Sequence, residues 1–457
     1  MTIKGYDKAN FVSQLNQYLF ASGPVRDFSH LVGRESEMSL IEEALSAEGR
    51  HVFIYGDRGV GKTSLAAAAA NYYQSSDNSH IQIGCGPDTK FYKTIEDLVD
   101  RVIKKASGKR DYSVKSTFSV KFYKVQWNNK MIDVSIPEVN SMYTAVEAIE
   151  EVAKYHSDAP VIVIDEFDQI ESEEERRLFS NYLKDLGDRG VDIKLIFTGV
   201  AQSLTKLLGD HESSFRQLHT IELGRLYWGP REKIVTDAMD SFNLKIDPNV
   251  VHSIARISNG FPYYAHLLAE KILWCAFDSE VDIEYIDEEI FSMALEKAIS
   301  SISAHLSMPY DSATLHRNSD YREVLWATAD SESTIRLIDG MFNSYLRINR
   351  QLYGPSPEEK CRPLTRKKFV ARLANLKKKD YGGILENASD RKGLYSYREN
   401  ILRGYVAMRA LESGVELQGD MPDPPKMPTA LGREKQRLNA GKDFTPKVRY
   451  RGEEEYE

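Results

Sequence analysis

Unbroken apolar runs, and the polar residues that end them, set the frame of this chain. Val52-Phe53-Ile54-Tyr55, Val161-Ile162-Val163-Ile164 and Leu195-Ile196-Phe197 show no alternation. That pattern predicts strands buried on both faces, as in a parallel sheet covered by helices. His80–Cys85 and His219–Leu223 read as two further strands. Between them the spacing turns helical: Met38, Ile41 and Leu45, then the alanine-rich stretch from Ser64 to Tyr73, then Ile95 to Lys105 with Leu98, Val102 and Ile103 on one face. Strands alternating with helices predict an α/β fold with a parallel sheet.

Residues 108–138 interrupt this rhythm. Phe118, Val120 and Phe122 alternate with polar neighbours, Asn128-Asn129-Lys130 can turn the chain, and Ile132, Val134 and Ile136 alternate again. A β-hairpin inserted between the second and third core strands is expected, as local decoration or as a contact to DNA or a neighbouring subunit. Residues 229–310 read as a small helical lid, with helices over Arg231–Phe242 and Pro248–Ser258 and another running through Trp274.

From Tyr321 onward, helical spacing recurs in Val324-Leu325-Trp326 and in Ile335, Ile338, Phe342 and Leu346. Thr365 is a plausible N-cap for a third helix with an apolar stripe of Phe369, Leu373 and Leu376. Gly382–Glu386 and Leu394–Tyr397 flank a turn and predict a two-stranded wing. Three helices and a wing over 311–415 imply a winged-helix domain. Its third helix would enter a DNA groove, with Arg366, Lys367, Lys377 and Lys378 off the apolar stripe and Arg391 and Lys392 in the wing as candidate phosphate contacts. Residues 416–457 are expected to be a disordered tail, given five prolines, few apolar side chains and the acidic run Glu453-Glu454-Glu455.

Composition sharpens this picture in two places. The 457 residues are 42% hydrophobic and 28% charged, enough apolar material for each domain to build a core without disulfides or structural metal. Cys85, Cys275 and Cys361 lie far apart with no zinc or disulfide spacing, the first residues carry no signal-peptide pattern, and no run of eighteen apolar residues occurs. A reducing, cytoplasmic setting without a membrane is expected. The net charge of −8 argues against nucleic acid until its distribution is considered, since residues 362–403 carry twelve Lys or Arg against four Asp or Glu. Phosphate backbones respond to such a local patch.

The chemistry concentrates where the first strand runs into Gly56-Asp57-Arg58-Gly59-Val60-Gly61-Lys62-Thr63-Ser64. This spacing is a phosphate-binding loop: the glycines turn a strand into a helix whose first N–H groups surround a phosphate, Lys62 reaches the outer phosphates, and Thr63 offers a hydroxyl to Mg²⁺. Asp165 and Glu166 stand at the carboxyl end of a buried strand, where open α/β sheets bind ligands. Asp165 suits the Mg²⁺ shell and Glu166 the attacking water, which predicts ATP hydrolysis rather than simple nucleotide holding. Thr198 ends a third buried strand, where its hydroxyl can reach a phosphate or the water.

Together these residues resemble AAA+ and STAND ATPases of the origin-recognition and transposition-regulator kind. In that family a segment similar to Val32-Gly33-Arg34-Glu35 folds over the adenine, Thr198 stands as the sensor, and an arginine before the last core strand, here Arg216 with Arg225 as fallback, enters the neighbouring subunit's site. Gly260-Phe261-Pro262 replaces a second sensor arginine, with Tyr263 or Tyr264 in its place, and the resemblance implies that Pro262 packs near the nucleoside. It also implies a homo-oligomer bridged by nucleotide. Two tasks are expected from such a resemblance: a DNA-associated regulator or loader, or a switch whose winged helix holds a protein partner.

Overall fold

Side-chain parity along five parallel strands explains why this chain folds as it does. The computed structural model describes residues 3–417 except 4, 22, 75–79, 107–113, 118–119, 128–129, 154–159, 201–216, 316, 319, 356–361 and 389–392. The strands β1 (His51–Tyr55), β2 (Ile81–Gly84), β6 (Val161–Asp165), β7 (Lys194–Gly199) and β8 (Leu218–Glu222) form one sheet in the order β2-β6-β7-β1-β8. All four pairings are parallel. Val52, Ile54, Val163 and Ile196 face one hydrophobic cluster, while Phe53, Ile162, Ile164, Leu195 and Phe197 face another, so neither side of the sheet meets water. The first side receives α3 (Lys62–Tyr73), whose run from Ala66 to Ala70 is fully buried and lets the helix approach the strands closely. The second side receives α4 (Phe91–Ala106), α5 (Met142–Ala153) and α6 (Glu173–Asp188).

The expected insertion lies between the second and third core strands, but it is a three-stranded antiparallel sheet: β3 (Val114–Thr117), β4 (Val120–Trp127) and β5 (Lys130–Pro137), in that order. Phe118, Asn128 and Asn129 fall outside the described residues. Val134 and Ile136 are buried against the helical layer, so the end of the insertion is packed into the core.

Beyond the sheet come helices Trp228–Ser241, Pro248–Ser258, Pro262–Asp278 and Glu288–Ser301. Asp247 caps the second through Asn249 N, with Pro248 at the first helical position. An N-terminal helix, α1 (Lys8–Tyr18), has no counterpart among the elements expected from the sequence. It belongs to this helical layer because Phe11 stacks on Phe277 at 4.2 Å and meets Trp274 edge-on at 4.9 Å.

The C-terminal part has helices Asp320–Ala329, Ile338–Tyr353 and Arg366–Leu376, then strands Leu385–Asn387 and Leu394–Tyr397. A short strand, Arg336–Leu337, joins the edge to make a three-stranded antiparallel sheet. One expectation holds in position only, and two are corrected. Thr365 stands at the N-cap but its side chain makes no capping hydrogen bond. Ile335 lies before the second helix and is exposed, not on an apolar stripe. Lys377 and Lys378 follow the third helix, which ends at Leu376. A last helix, Leu402–Glu412, returns to the helical layer through buried Leu402, Tyr405, Val406 and Met408. The described residues fall in one compact unit, and among them no helix is long and apolar enough to cross a membrane.

Candidate active site

Sheet parity also assembles the site. In the β6–β7 pairing Ile164 stands opposite Phe197, so the next residues, Asp165 and Thr198, meet at the strand ends on the face that receives α3. Gln82 faces the same side, since Ile81 and Ile83 beside it face the other cluster. The outcome is a hydrogen-bonded knot around one carboxylate. Thr63 Oγ1 donates to Asp165 Oδ1 at 3.0 Å, Gln82 Nε2 donates to Oδ2 at 2.8 Å, and the buried Thr198 hydroxyl donates to Oδ1. Thr198 Oγ1 in turn accepts from Glu166 N at 3.0 Å. Thr198 therefore binds the two acidic positions together instead of presenting a free hydroxyl.

Glu166 adopts a left-handed conformation, φ 55°, and its side chain is exposed at the mouth of the cleft. For a non-glycine residue that conformation is uncommon and clusters at functional positions. The exposed Glu166 carboxylate meets solvent, whereas that of Asp165 is fixed by its neighbours. Asp168 and Gln169, two and three residues on, line the same cleft.

Lys62 Nζ donates to the carbonyls of Gly56 at 3.0 Å and Asp57 at 2.8 Å, folding back across its own loop. Burial pushes its ammonium below the usual lysine range, against the pull of Asp168, Asp57 and Asp165. A partly desolvated cation whose hydrogen bonds go to carbonyls, with the carboxylates only nearby, is poised for an anion that supplies stronger charge-assisted bonds. Gly61 adopts φ 98° where α3 begins, which a side chain would strain. Gly59, Val60, Gly61, Lys62, Thr63 and Ser64 all line one open cleft of about 800 Å³, shared with Val32, Arg34 and Pro262.

Some expected ligand residues hold the site from behind. Arg34 is almost wholly buried, and its guanidinium donates to Val60 O at 3.0 Å and Gly224 O at 2.7 Å while pairing with Glu37 at 3.0 Å. Arg34 thus braces the phosphate loop while still lining the cleft. A Cβ on Gly56 would stand 2.3 Å from Leu223 O, and one on Gly33 2.5 Å from Pro230 Cγ, so both glycines permit packing. Ser64 Oγ accepts from Val25 N at 3.1 Å. Tyr263 lines the cleft, whereas Tyr264 is buried and donates to Ile401 O at 2.8 Å.

Arg216 lies outside the described residues, as do Arg391 and Lys392. Arg225 is turned inward: it donates to Asn259 O at 2.9 Å, Asn259 Oδ1 at 2.6 Å and Glu332 O at 2.7 Å. It joins the helical layer to the C-terminal part and is not presented to a neighbour. Of the candidate phosphate contacts, Arg366 forms a forked pair with Asp339 at 2.9 and 2.6 Å, Lys377 donates to Asn387 at 3.1 Å, and Lys378 donates to Asn375 at 2.8 Å. Lys367 is exposed.

Sequence reasoning missed a third wall. Glu399 and Ile401, just before the last helix, line the cleft from the C-terminal part. Arg58 in the phosphate loop approaches Glu399 at 3.5 Å, and Asn400 Nδ2 donates to Asp57 Oδ2 at 2.8 Å. Gly59 is needed because a Cβ there would lie 2.4 Å from Ile401 Cδ1. Nothing local in Arg398-Glu399-Asn400-Ile401 signals a contact more than three hundred residues away. Gln82 was also missed, although it stands as the polar member between Ile81 and Ile83 of an apolar strand.

The donor set fits a divalent cation: a threonine hydroxyl and a carboxylate already face each other at 3.0 Å, the oxygen chemistry that Mg²⁺ takes. Bound there with a nucleotide, such an ion would neutralise phosphate charge, and Thr63 and Asp165 would hold it.

Comparison with known proteins agrees with this geometry. Residues 30–192 match the family described as AAA ATPase domain. The Walker-type ATPase of Pyrococcus abyssi has a similar structure, with TM-score 0.50 and 16% identity over 84% of this chain and 98% of that one. The ORC1 protein of Aeropyrum pernix, in complex with DNA, is a more distant likeness at TM-score 0.38 and 13% identity, over 82% of this chain and 92% of that one. A protein of Arabidopsis thaliana named for disease resistance is 30% identical over 151 residues, which is 32% of this chain but only 12% of that relative. With the strand order of its sheet, its phosphate loop and the paired acids facing it, the chain carries an AAA ATPase domain over residues 30–192 whose site is that of a P-loop ATPase.

Proposed function

We propose that this ATPase is a switch in which the bound nucleotide decides whether the C-terminal part, read as a winged helix over 311–415, stays docked on the phosphate loop. The observation that carries this reading is the contact of Glu399, Asn400 and Ile401 with Asp57, Arg58 and Gly59. A triphosphate entering the cleft competes with Glu399 for Arg58 and sets further negative charge beside the Glu399 and Asp57 carboxylates, so it binds the undocked form better. Thr63 and Asp165 hold Mg²⁺, Glu166 orients the water, and hydrolysis restores docking. Arg216 is the candidate to complete the site of a neighbouring copy, making the undocked form the one that assembles. The local likeness to a protein named for disease resistance supports a setting in defence for such a switch.

Hydrogen exchange tests it. A non-hydrolysable ATP analogue should speed exchange at the backbone amides of residues 399–404 relative to ADP, and equal exchange in both would contradict the switch.

A DNA-associated regulator or loader is the second reading, favoured by the local excess of positive charge over 362–403 and by exposed Lys367. Binding of a fluorescent duplex should then weaken with salt at a slope of about −0.9 in log K per phosphate contacted, and Lys367→Ala should flatten that slope. Binding insensitive to salt would remove this reading.

A further inference from the structure

A chain of polar side chains leads away from the Asp165 knot along the edge of the sheet. β2 is an edge strand, and His80, just before it, shares the parity of Gln82 against that of Ile81 and Ile83, so both face α3. On α3, Asn71 Nδ2 donates to Arg26 O at 2.9 Å while Asn71 Oδ1 accepts from His80 N at 3.0 Å. These two backbone partners fix the amide with its oxygen toward the histidine. The same oxygen lies 2.8 Å from His80 Nδ1, so Nδ1 carries a proton. At the other end Gln82 Nε2 donates to Asp165 Oδ2 at 2.8 Å, which turns Gln82 Oε1 toward His80 Nε2 at 3.2 Å.

The imidazole is set between two acceptors. A neutral ring has one donor and one acceptor nitrogen, so either tautomer leaves a lone pair against an oxygen. Only imidazolium donates to both. Reversing Gln82 gives no relief, because its oxygen would then meet the Asp165 carboxylate. His80 is only 8% exposed, where a mismatched pair of acceptors is costly.

We propose that His80, as imidazolium, is a positioning residue of this ATPase, orienting Gln82 so that its amide N–H stays on Asp165 Oδ2. The inference rests on the reading of Asp165 as the carboxylate that holds Mg²⁺. Of the charged residues along this chain, Asp165 stands at one end, Arg101 from α4 donates to Gln82 O at 2.7 Å, and Arg26 takes part through its carbonyl, while α3 presents the neutral Asn71. As the pH rises and Nε2 gives up its proton, Gln82 Oε1 meets a lone pair and the hold on Asp165 loosens. The hold is therefore complete at low pH and lost at high pH.

The test is nitrogen NMR of the nucleotide-free full chain with ¹⁵N-labelled histidine, the His80 signals being identified by their loss in His80→Gln. Both ring nitrogens should carry protons at about pH 7. Gln82→Leu removes one acceptor and should lower the pH at which the second proton leaves by about one unit. A second readout is the Mg²⁺ concentration for half-maximal hydrolysis, which His80→Leu should raise by about tenfold. His80→Gln, whose amide donates to Gln82 Oε1 without titrating, should need less Mg²⁺ than His80→Leu and should escape the rise that wild type shows toward about pH 9. A single protonated nitrogen in wild type at neutral pH would overturn the inference without recourse to any variant. Two protonated nitrogens with an unchanged Mg²⁺ requirement in both His80 variants would overturn it as well, leaving His80 to close the sheet edge. Wild-type hydrolysis indifferent to Mg²⁺ would instead remove the reading of Asp165 beneath it.

Discussion

Asn400 donates a 2.8 Å hydrogen bond to the carboxylate of Asp57, joining the C-terminal part of the chain to the inside of its phosphate loop across 343 residues of sequence. Tyr264 reinforces the arrangement by holding Ile401 O, and Gly404 lies flat against the Tyr264 ring, where a Cβ would come within 2.4 Å of Cδ2. The loop that binds phosphate is therefore also a docking surface. Replacing Asn400 and Ile401 together with alanine removes one exposed hydrogen bond and part of an apolar contact, worth about 1–2 kcal/mol. The docked form should weaken by roughly tenfold, and ATP should bind correspondingly more tightly. Calorimetric titration of the double variant against wild type measures it; unchanged affinity would mean docking and binding are uncoupled.

Lys62 and Glu166 should separate binding from turnover. Lys62→Ala removes the cation already poised in the loop and should abolish or severely weaken ATP binding, whereas Glu166→Gln should keep ATP bound but stop hydrolysis. Affinity and steady-state rate are measured on the same preparations. Normal hydrolysis by Glu166→Gln would reassign the water-orienting role, with Asp168 next in line.

Gln82 touches the reaction only through Asp165. Outer partners of this kind typically cost about 10–100-fold in metal affinity or activity when removed. Gln82→Ala should lower the rate by that amount and raise the Mg²⁺ concentration needed for half-maximal activity, while Gln82→Glu, which sets a second carboxylate against Asp165, should do worse. A rate loss with no change in Mg²⁺ dependence would show that Gln82 serves packing alone.

His51, buried in β1, accepts from Leu195 N at 3.2 Å, and burial pushes its ionisation down to about 3. Its unfolded value is near 6.5, so below that pH the unfolded state binds the proton that the folded state refuses. Stability from this group is complete above about pH 6.5 and falls as the pH drops toward 3. At 1.36 kcal/mol per unit, the loss reaches about 2–3 kcal/mol by pH 4.5. Denaturant unfolding at pH 7.5 and 4.5 should show a smaller pH effect in His51→Gln than in wild type; equal effects would contradict the assignment.

The parallel sheet and its site were legible because each rests on local pattern. Unbroken apolar strands run into Gly56–Ser64, Asp165 and Thr198, and strand parity alone brings those residues together. The N-terminal helix was not legible, because Phe11 and Leu15 are its only buried members and the ring partners of Phe11, Trp274 and Phe277, lie far along the chain. Arg403 shows the same limit. It reads as one more cation of a basic stretch, yet it is 1% exposed, donates to Asn259 Oδ1 at 3.1 Å and to the carbonyls of Ser331 and Ser333, and ties the last helix to the turn before Pro262. Charge counted along a sequence does not tell a buried arginine from a solvated one.

The central claim, that nucleotide controls docking of the C-terminal part, is tested most directly by the distance between the two. Spin labels at exposed Lys184 in α6 and exposed Lys367 in the C-terminal part, in a background without reactive thiols, report it. In the Glu166→Gln chain, which traps ATP, the distance distribution should shift away from the ADP-bound one, and Asn400→Ala with Ile401→Ala should move the ADP-bound chain toward the same shifted distribution. Identical distributions with ATP, with ADP and in the double variant would contradict the account.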